Sequence, residues 1–409
     1  MSTQTHRVNL NLNEMLASAV AHSMVLFCSI LLLSESAIAK AQETSQKQSP
    51  IVLRDLSLIR DAEVESFDST GVTLSNKTRL GWDKILRATV ASDRQSEFDQ
   101  NIKLLGLPVF RLKTRITNSD WQGAAEIAAP IFKNEDDWNS LSPDLLYLAS
   151  LTMMKSQLQK GIRDQAIWSF VVAAEKQSEA SEEALKLTGT NRLTQRECQL
   201  GVARSILPVW FNPSINKKTV ERLEAYLESK TDAGEKPSPG EIIYLSSMLI
   251  ELESYDAAKR WLGELDGRMA TGEKEIRAWQ NVLRARIKLK KRELDAARIS
   301  LEELVSNQIS QNEIEIETPR MVALYYAGLT EMAGENVTDS QRAKATLTFL
   351  TIPAVYGDTH KSLSAAALFQ SAEIAKLRGR DGDAQKLRTQ LLRKYPRTYH
   401  GSLKMSGNN

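Results

Sequence analysis

Apolar residues recur with helical spacing along most of the chain, from about residue 93 to residue 402. Apolar positions three and four residues apart line one face of a helix, and residues 240–253 and 255–266 both show this spacing. Only Ser254 separates the two segments, and helices joined so tightly run antiparallel. The pattern therefore predicts a helical hairpin. Ser142 and Ser238, each followed by Pro and an early acid, are typical of helix starts.

The second helix of that hairpin has a near-copy further along the chain. "YDAAKRWLGEL" begins at Tyr255, and "LDAARISLEEL" begins at Leu294, 39 residues later. A helical hairpin keeps apolar surface on its outer side, and a second hairpin stacked there buries that surface. The recurrence therefore predicts an array of stacked helix pairs.

This arrangement resembles the tetratricopeptide repeat (TPR) family, whose unit is a helix pair of about 34 residues. The last unit, residues 367–396, carries the best match, with Ala372 on the first helix, Gly379 in the turn and Ala384 on the second helix. The resemblance implies an all-α, TPR-like α-solenoid of antiparallel helix pairs; an α-solenoid of another lineage is the alternative. The repeat-packing positions that it implies are Ala124, Ala166, Ala258, Ala297, Ala384 and Pro396.

A segment with a different period precedes the helices, over residues 51–90. Ala62, Val64 and Ser66 alternate with charged neighbours, and Val72 and Leu74 resume the two-residue period after the turn signal "DSTG". The pattern predicts a small β-hairpin or three-stranded module, in which Trp82 fills the core. So few strands are not stable alone, so we expect the module to dock on the helices.

The N-terminus has the features of an export signal. Residues 24–33, "MVLFCSILLL", are an apolar run of ten, too short to span a bilayer, and are followed by small residues at a cleavage region. A signal peptide over residues 1–41 is predicted, with a signal anchor as the alternative because residues 15–34 carry no Asp, Glu, Lys or Arg. The cleavage region comprises Ala37, Ala39 and Ala41.

Polar loops divide the remainder of the chain. Residues 42–50 are predicted to be a disordered spacer and residues 403–409 a disordered tail. The loop at residues 229–240 is the best candidate for a flexible joint. The helical repeats then form two blocks, residues 93–230 and residues 241–402.

The composition argues against several kinds of chemistry. Lys plus Arg number 53 and Asp plus Glu number 51, a balance that provides no global field for nucleic acid. After signal cleavage only Cys198, His360 and His400 would remain, which disfavours a disulfide framework or a Cys/His zinc site. A nucleophilic pair of Cys198 with either histidine competes with the simpler interpretation of a buried thiol. No phosphate-loop or zinc-protease motif is present. We therefore expect no cofactor and no enzymatic activity, with an α-helical-barrel hydrolase as the least favoured alternative.

One cluster of cations, "RARIKLKKR" at residues 284–292, has two interpretations. Cations near a helix C-terminus interact favourably with the helix dipole and need no ligand. In the TPR-like register, however, Arg286 and Lys290 lie on the concave side, and Glu373 and Lys376 line the same side of the last unit. This register predicts a groove for an acidic, extended segment of a partner protein.

These observations together predict a non-enzymatic TPR-like scaffold that mediates protein–protein interactions after export to the periplasm or cell envelope. Its partners would be proteins rather than nucleic acid. The alternative is an accessory subunit of an envelope complex, held at the membrane through its N-terminus.

Overall fold

The computed structural model describes residues 50–133, 138, 141–203, 205–211, 215–266, 273–306, 317–357 and 360–403. The predicted signal peptide, with Ala37, Ala39 and Ala41, lies outside the described residues, as do nearly all of the predicted spacer and tail. The described part of the chain divides into two compact units, with the boundary between Leu107 and Pro108.

The first unit contains two three-stranded antiparallel sheets, with strand orders β2-β1-β6 and β3-β4-β5. The prediction of a β module is correct, but a single hairpin or three-stranded sheet understated it. A turn at residues 69–70 joins β3 to β4, as the "DSTG" signal indicated. The strands are β1 (Ile51–Leu53), β2 (Leu58–Ile59), β3 (Val64–Asp68), β4 (Gly71–Leu74), β5 (Arg79–Leu80) and β6 (Ile85–Arg87).

An aromatic cluster forms the core of the first unit. Trp82 is buried, and its ring lies 5.8 Å from that of Phe67 and 5.1 Å from that of Phe98. The indole nitrogen of Trp82 donates a hydrogen bond of 2.8 Å to the carbonyl oxygen of Asp68. Phe98 belongs to α1 (Gln95–Asn101), so the first predicted helix completes the core of the β module rather than beginning the repeats. A π-helical segment, Ile102–Gly106, follows it.

The second unit is built from helices. The first five are α2 (Leu107–Thr117), α3 (Trp121–Lys133), α4 (Pro143–Gln159), α5 (Arg163–Gln177) and α6 (Glu182–Thr188). The next six are α7 (Gln195–Leu200), α8 (Lys217–Asp232), α9 (Pro239–Glu251), α10 (Tyr255–Glu264), α11 (Glu273–Lys290) and α12 (Leu294–Ser306). The last five are α13 (Glu317–Met332), α14 (Asp339–Tyr356), α15 (Lys361–Leu377), α16 (Asp381–Lys394) and α17 (Tyr399–Ser402).

Helix pairs form the repeated unit of this part of the chain. α9 packs on α10, α11 on α12, α13 on α14 and α15 on α16. The first helices of these pairs also pack on one another in sequence, α9 on α11, α11 on α13 and α13 on α15. This packing is consistent with a helical solenoid. Ser142 and Ser238 cap α4 and α9, as their sequence contexts predict.

Five short turns between consecutive helices share one backbone conformation. A residue with positive φ, between 56° and 74°, stands two positions before the second helix at each turn. At the α9–α10 turn this residue is Glu253; its N–H bonds the carbonyl oxygen of Ile250, and the N–H of Ser254 bonds that of Leu249. The same two bonds recur at the other four turns and satisfy carbonyls at the helix end. The five residues are Ser119, Gly161, Glu253, Arg292 and Gly379.

The predicted packing positions have different surroundings. Pro396 is exposed and follows the end of α16. Of the loop predicted to be a joint, residues 229–240, only residues 233–238 lie between α8 and α9, and the rest belong to those helices. One hydrophobic cluster includes buried residues on both sides of it, such as Leu227 and Ile242. The buried positions are Ala124, Ala166, Ala258, Ala297 and Ala384.

Candidate functional site

A stretch without regular secondary structure lies inside the second unit. We call residues 201–203 and 205–211 the inner segment. Ala203, Ile206 and Val209 of this segment are fully buried. Pro208 removes a backbone donor and disfavours helix, and the described residues of the stretch form turns, bends and irregular backbone instead. Its buried carbonyl groups therefore need partners from the surrounding helices.

Helix α9 supplies two of these partners. The hydroxyl of Tyr244 donates a hydrogen bond of 2.5 Å to the carbonyl of Ile206 and accepts one of 3.0 Å from the N–H of Ala203. Ser247 Oγ donates to the carbonyl of Pro208 at 2.8 Å. Burial raises the pKa of Tyr244 well above its usual range, so this hydroxyl remains a donor at any physiological pH.

Arg286 of α11 also binds the inner segment. Its Nη1 atom donates to the carbonyl of Pro208 at 2.9 Å and to Ser247 Oγ at 2.8 Å, while Nη2 pairs with Glu251. The guanidinium lies 4.9 Å from the ring centre of Tyr326, a cation–π contact. Arg286 is 1% exposed, so the expectation that its side chain faces an open groove is wrong. It holds a segment of its own chain.

Helices α5 and α13 complete the contacts of the inner segment. Arg163 of α5 donates to the carbonyls of Leu207 at 2.6 Å and Val209 at 2.8 Å. Burial lowers the pKa of Arg163 to about 10, which leaves it charged at neutral pH. Phe211 packs edge-on against Tyr325 of α13, with ring centres 5.8 Å apart. The inner segment therefore lies against one helix from each of three successive hairpins, α9, α11 and α13.

The remaining residues of the predicted groove are accessible to different degrees. Lys290 is 43% exposed, and its Nζ lies 3.2 Å from Glu251, the carboxylate that also pairs with Arg286. Glu373 is half-buried and accepts a bond of 2.8 Å from Arg388 on α16, while Lys376 is exposed. Arg286 and Lys290 therefore meet at one carboxylate. In the described part of the chain, no hydrogen bond or ion pair links either of them to Glu373 or Lys376.

The candidates for catalysis have properties of structural groups. Cys198 is half-buried, and burial together with Glu197 raises the pKa of its thiol to about 11, so the thiol is neutral and a poor nucleophile. His400 is buried among aromatic rings. Within the described ranges, no group of three or more His, Cys, Asp or Glu side chains could hold a metal ion. Along the same stretches, every helix is too short or too polar to cross a lipid bilayer.

Sequence reasoning missed the inner segment and its partners Arg163, Tyr244 and Ser247. The signal that marks the segment is the stretch "ILPVWF" at residues 206–211, in which a proline stands among large apolar residues in a mostly helical chain. Nothing in the spacing of Arg163, Tyr244 or Ser247 indicates that these side chains bind backbone carbonyls.

A cavity of about 720 Å³ lies beside the inner segment, in a size range typical of ligand sites. We call it the cationic cavity. Its wall is formed by the α4–α5 turn at residues 158–164, part of the inner segment, the start of α15 and residues 397–402. Its cationic side chains are Lys160, Arg163, Lys361 and Arg397.

Comparison of the chain with protein-family models, curated proteins and solved structures gives no match. The functional conclusions below therefore rest on the contacts of the inner segment and on the cationic cavity.

Proposed function

We propose that the chain is an exported, non-enzymatic TPR-like scaffold that holds partner proteins in the periplasm or cell envelope by their extended segments. One observation carries this proposal. Helices from successive hairpins already bind a non-helical stretch of polypeptide, the inner segment, through its backbone carbonyls.

The chemistry of these contacts suits a peptide-binding surface. Tyr244, Ser247 and Arg286 donate to main-chain carbonyl oxygens, a mode of binding that depends little on the side chains of the bound segment. Each successive hairpin presents an equivalent helix, so the surface extends along the array. The five matching turns and the 39-residue interval from Glu253 to Arg292 support a TPR-like repeat.

Lys290 and Lys376 mark where a partner would bind. Both belong to first helices of hairpins, α11 and α15, and both are accessible. Arg286, being buried, is not available to a partner. Because the accessible groups are cations, the proposed partner segment is acidic and extended.

Site-specific photo-crosslinking in the native envelope tests the scaffold function. A photoreactive residue replaces Lys290 or Lys376 in turn, with Lys186 and Lys386 as matched exposed positions on α6 and α16. We expect the same partner to be captured from positions 290 and 376 and not from positions 186 and 386. The purified partner should then bind the full chain, with affinity about tenfold lower for the Lys290→Glu/Lys376→Glu variant. Equal capture from all four positions, or no capture from any, would refute the proposal.

A further inference from the structure

The wall of the cationic cavity has more positively than negatively charged side chains. Lys160, Lys361 and Arg397 are exposed, and none of them forms an ion pair with a carboxylate of the described residues. Asp164 is the one carboxylate among the described residues of the wall, and it is buried and accepts a bond of 3.0 Å from the N–H of Asn216. Three cations without a carboxylate partner among the described residues give this open cavity a positive potential.

The wall also offers many hydrogen-bond donors. The backbone N–H groups of Leu207, Trp210 and Phe211 have no acceptor among the described residues. Ser362 and Tyr399, whose side chains carry hydroxyl groups, line the same space. The residues of the wall thus carry many hydrogen-bond donors and one carboxylate, that of Asp164, which already accepts a hydrogen bond. Such a wall suits a ligand with many hydrogen-bond acceptors.

Two long helices begin at this wall, and their N-termini also favour an anionic ligand. α5 and α15 start at Arg163 and Lys361, and the side chains of their N-cap residues, Ile162 and His360, form no capping hydrogen bond. The free N–H groups of a first turn add positive potential close to the helix end.

Aromatic rings form another part of the wall. Trp210, Phe211 and Tyr399 line the cavity, and the guanidinium of Arg163 lies 5.8 Å from the ring centre of Trp210 and 5.6 Å from that of Phe211. Rings of this kind pack against planar or apolar ligand groups. The wall therefore combines cations for an anionic group with rings for an organic body.

We propose that the cationic cavity is a binding site for a small organic anion, a carboxylate or phosphate attached to a planar or apolar body. Lys160, Lys361 and Arg397 bind the anionic group, and the aromatic residues contact the body. This site is separate from the proposed partner-binding surface, and either function could fail without the other.

Isothermal titration calorimetry of the full chain tests the site with three probes. Phenyl phosphate carries both features, inorganic phosphate only the anion, and phenol only the ring. We expect phenyl phosphate to bind about tenfold more tightly than inorganic phosphate, and phenol not to bind. Equal affinities for phenyl phosphate and inorganic phosphate would overturn the assignment of an organic ligand. Absence of saturable binding of phenyl phosphate would overturn the site.

Charge variants test whether phenyl phosphate binds in the cationic cavity. Lys361→Glu/Arg397→Glu should weaken binding of phenyl phosphate by at least about tenfold, because it reverses two cations at the wall. Lys186→Glu/Lys386→Glu makes the same change in net charge away from the cavity and should bind as the natural chain does. Equal losses in both variants would overturn the proposal, since the binding would then follow net charge alone. Lys361→Gln/Arg397→Gln, a milder change at exposed positions, should also lose affinity while its circular dichroism spectrum stays unchanged.

Discussion

The Nη1 atom of Arg286 lies 2.9 Å from the carbonyl oxygen of Pro208, a residue 78 positions earlier in the chain. This contact joins α11 to the inner segment at a buried point. Glu251 and the ring of Tyr326 hold the other side of the guanidinium. A buried charged side chain, that of Arg286, therefore holds the inner segment in place.

We expect Arg286→Met to destabilise the chain by about 3 kcal/mol, because it removes the buried guanidinium that donates to the carbonyl of Pro208 and pairs with the carboxylate of Glu251. The control is Lys290→Met, which removes an exposed partner of the same carboxylate and should cost no more than about 0.5 kcal/mol. Urea unfolding followed by circular dichroism measures both. If the two variants lose equal stability, the buried contact has no special role.

The sequence predicts the position of Arg286 on its helix but not its burial. Its position on the first helix of a hairpin follows from apolar spacing, which local interactions determine. The burial of Arg286 does not follow from this spacing. It depends on contact with the inner segment, which lies 78 residues earlier in the chain. The mostly helical fold and the N-terminal β module were predictable, whereas the path of the inner segment and the cationic cavity depend on tertiary packing.

The hairpin turns give a second prediction. A non-glycine residue with positive φ is strained, and glycine adopts this conformation freely. Glu253→Gly should therefore stabilise the chain by about 0.5 kcal/mol, and Gly379→Ala should destabilise it by about 1 kcal/mol. Thermal unfolding measures the two shifts, which should have opposite signs. Shifts of the same sign would mean that the two turns do not share a conformation.

The sequence predicts only some of these turns. The TPR resemblance predicts Gly379 in a turn, whereas Glu253 and Arg292 carry no such signal. Hydrogen bonds at the end of the preceding helix hold both residues in the same conformation.

Close packing within a helix pair gives a third prediction. Ala258 is fully buried on α10, which packs on α9, so no space is available there for a long charged side chain. Ala258→Arg should destabilise the chain by about 3 kcal/mol. Ala233→Arg is the matched control at an exposed position after α8, and should change stability by less than about 0.5 kcal/mol. Equal melting temperatures for the two variants would count against the packed hairpin.

The proposed export gives a fourth prediction. A signal peptidase accepts only small residues at its cleavage site, so the mature chain should begin shortly after Ala39 or Ala41. N-terminal sequencing of protein purified from the cell envelope checks this. Replacement of Ala37, Ala39 and Ala41 together by Leu should leave the precursor uncut. A mature protein that keeps its first 41 residues would instead favour the membrane-anchored alternative.

His400 gives the last prediction, on pH. It is 7% exposed, and the rings of Phe211, Phe369 and Tyr399 have centres within 5.0–5.5 Å of its own. Burial lowers the pKa of its imidazole to about 4, below the ordinary value of about 6.5. The folded chain therefore keeps His400 neutral, while the unfolded chain binds a proton as the pH falls below about 6.5.

Stability contributed by neutral His400 is complete above pH 6.5 and is lost as the pH falls toward 4. Between pH 7 and pH 5 we expect the natural chain to lose on the order of 2 kcal/mol more than His400→Phe, whose apolar ring cannot be protonated. Urea unfolding at the two pH values measures this difference. All other titratable groups are the same in the two proteins, so the comparison isolates His400. Parallel losses in the two proteins would show that His400 is protonated in the folded state, and that its aromatic surroundings do not exclude charge.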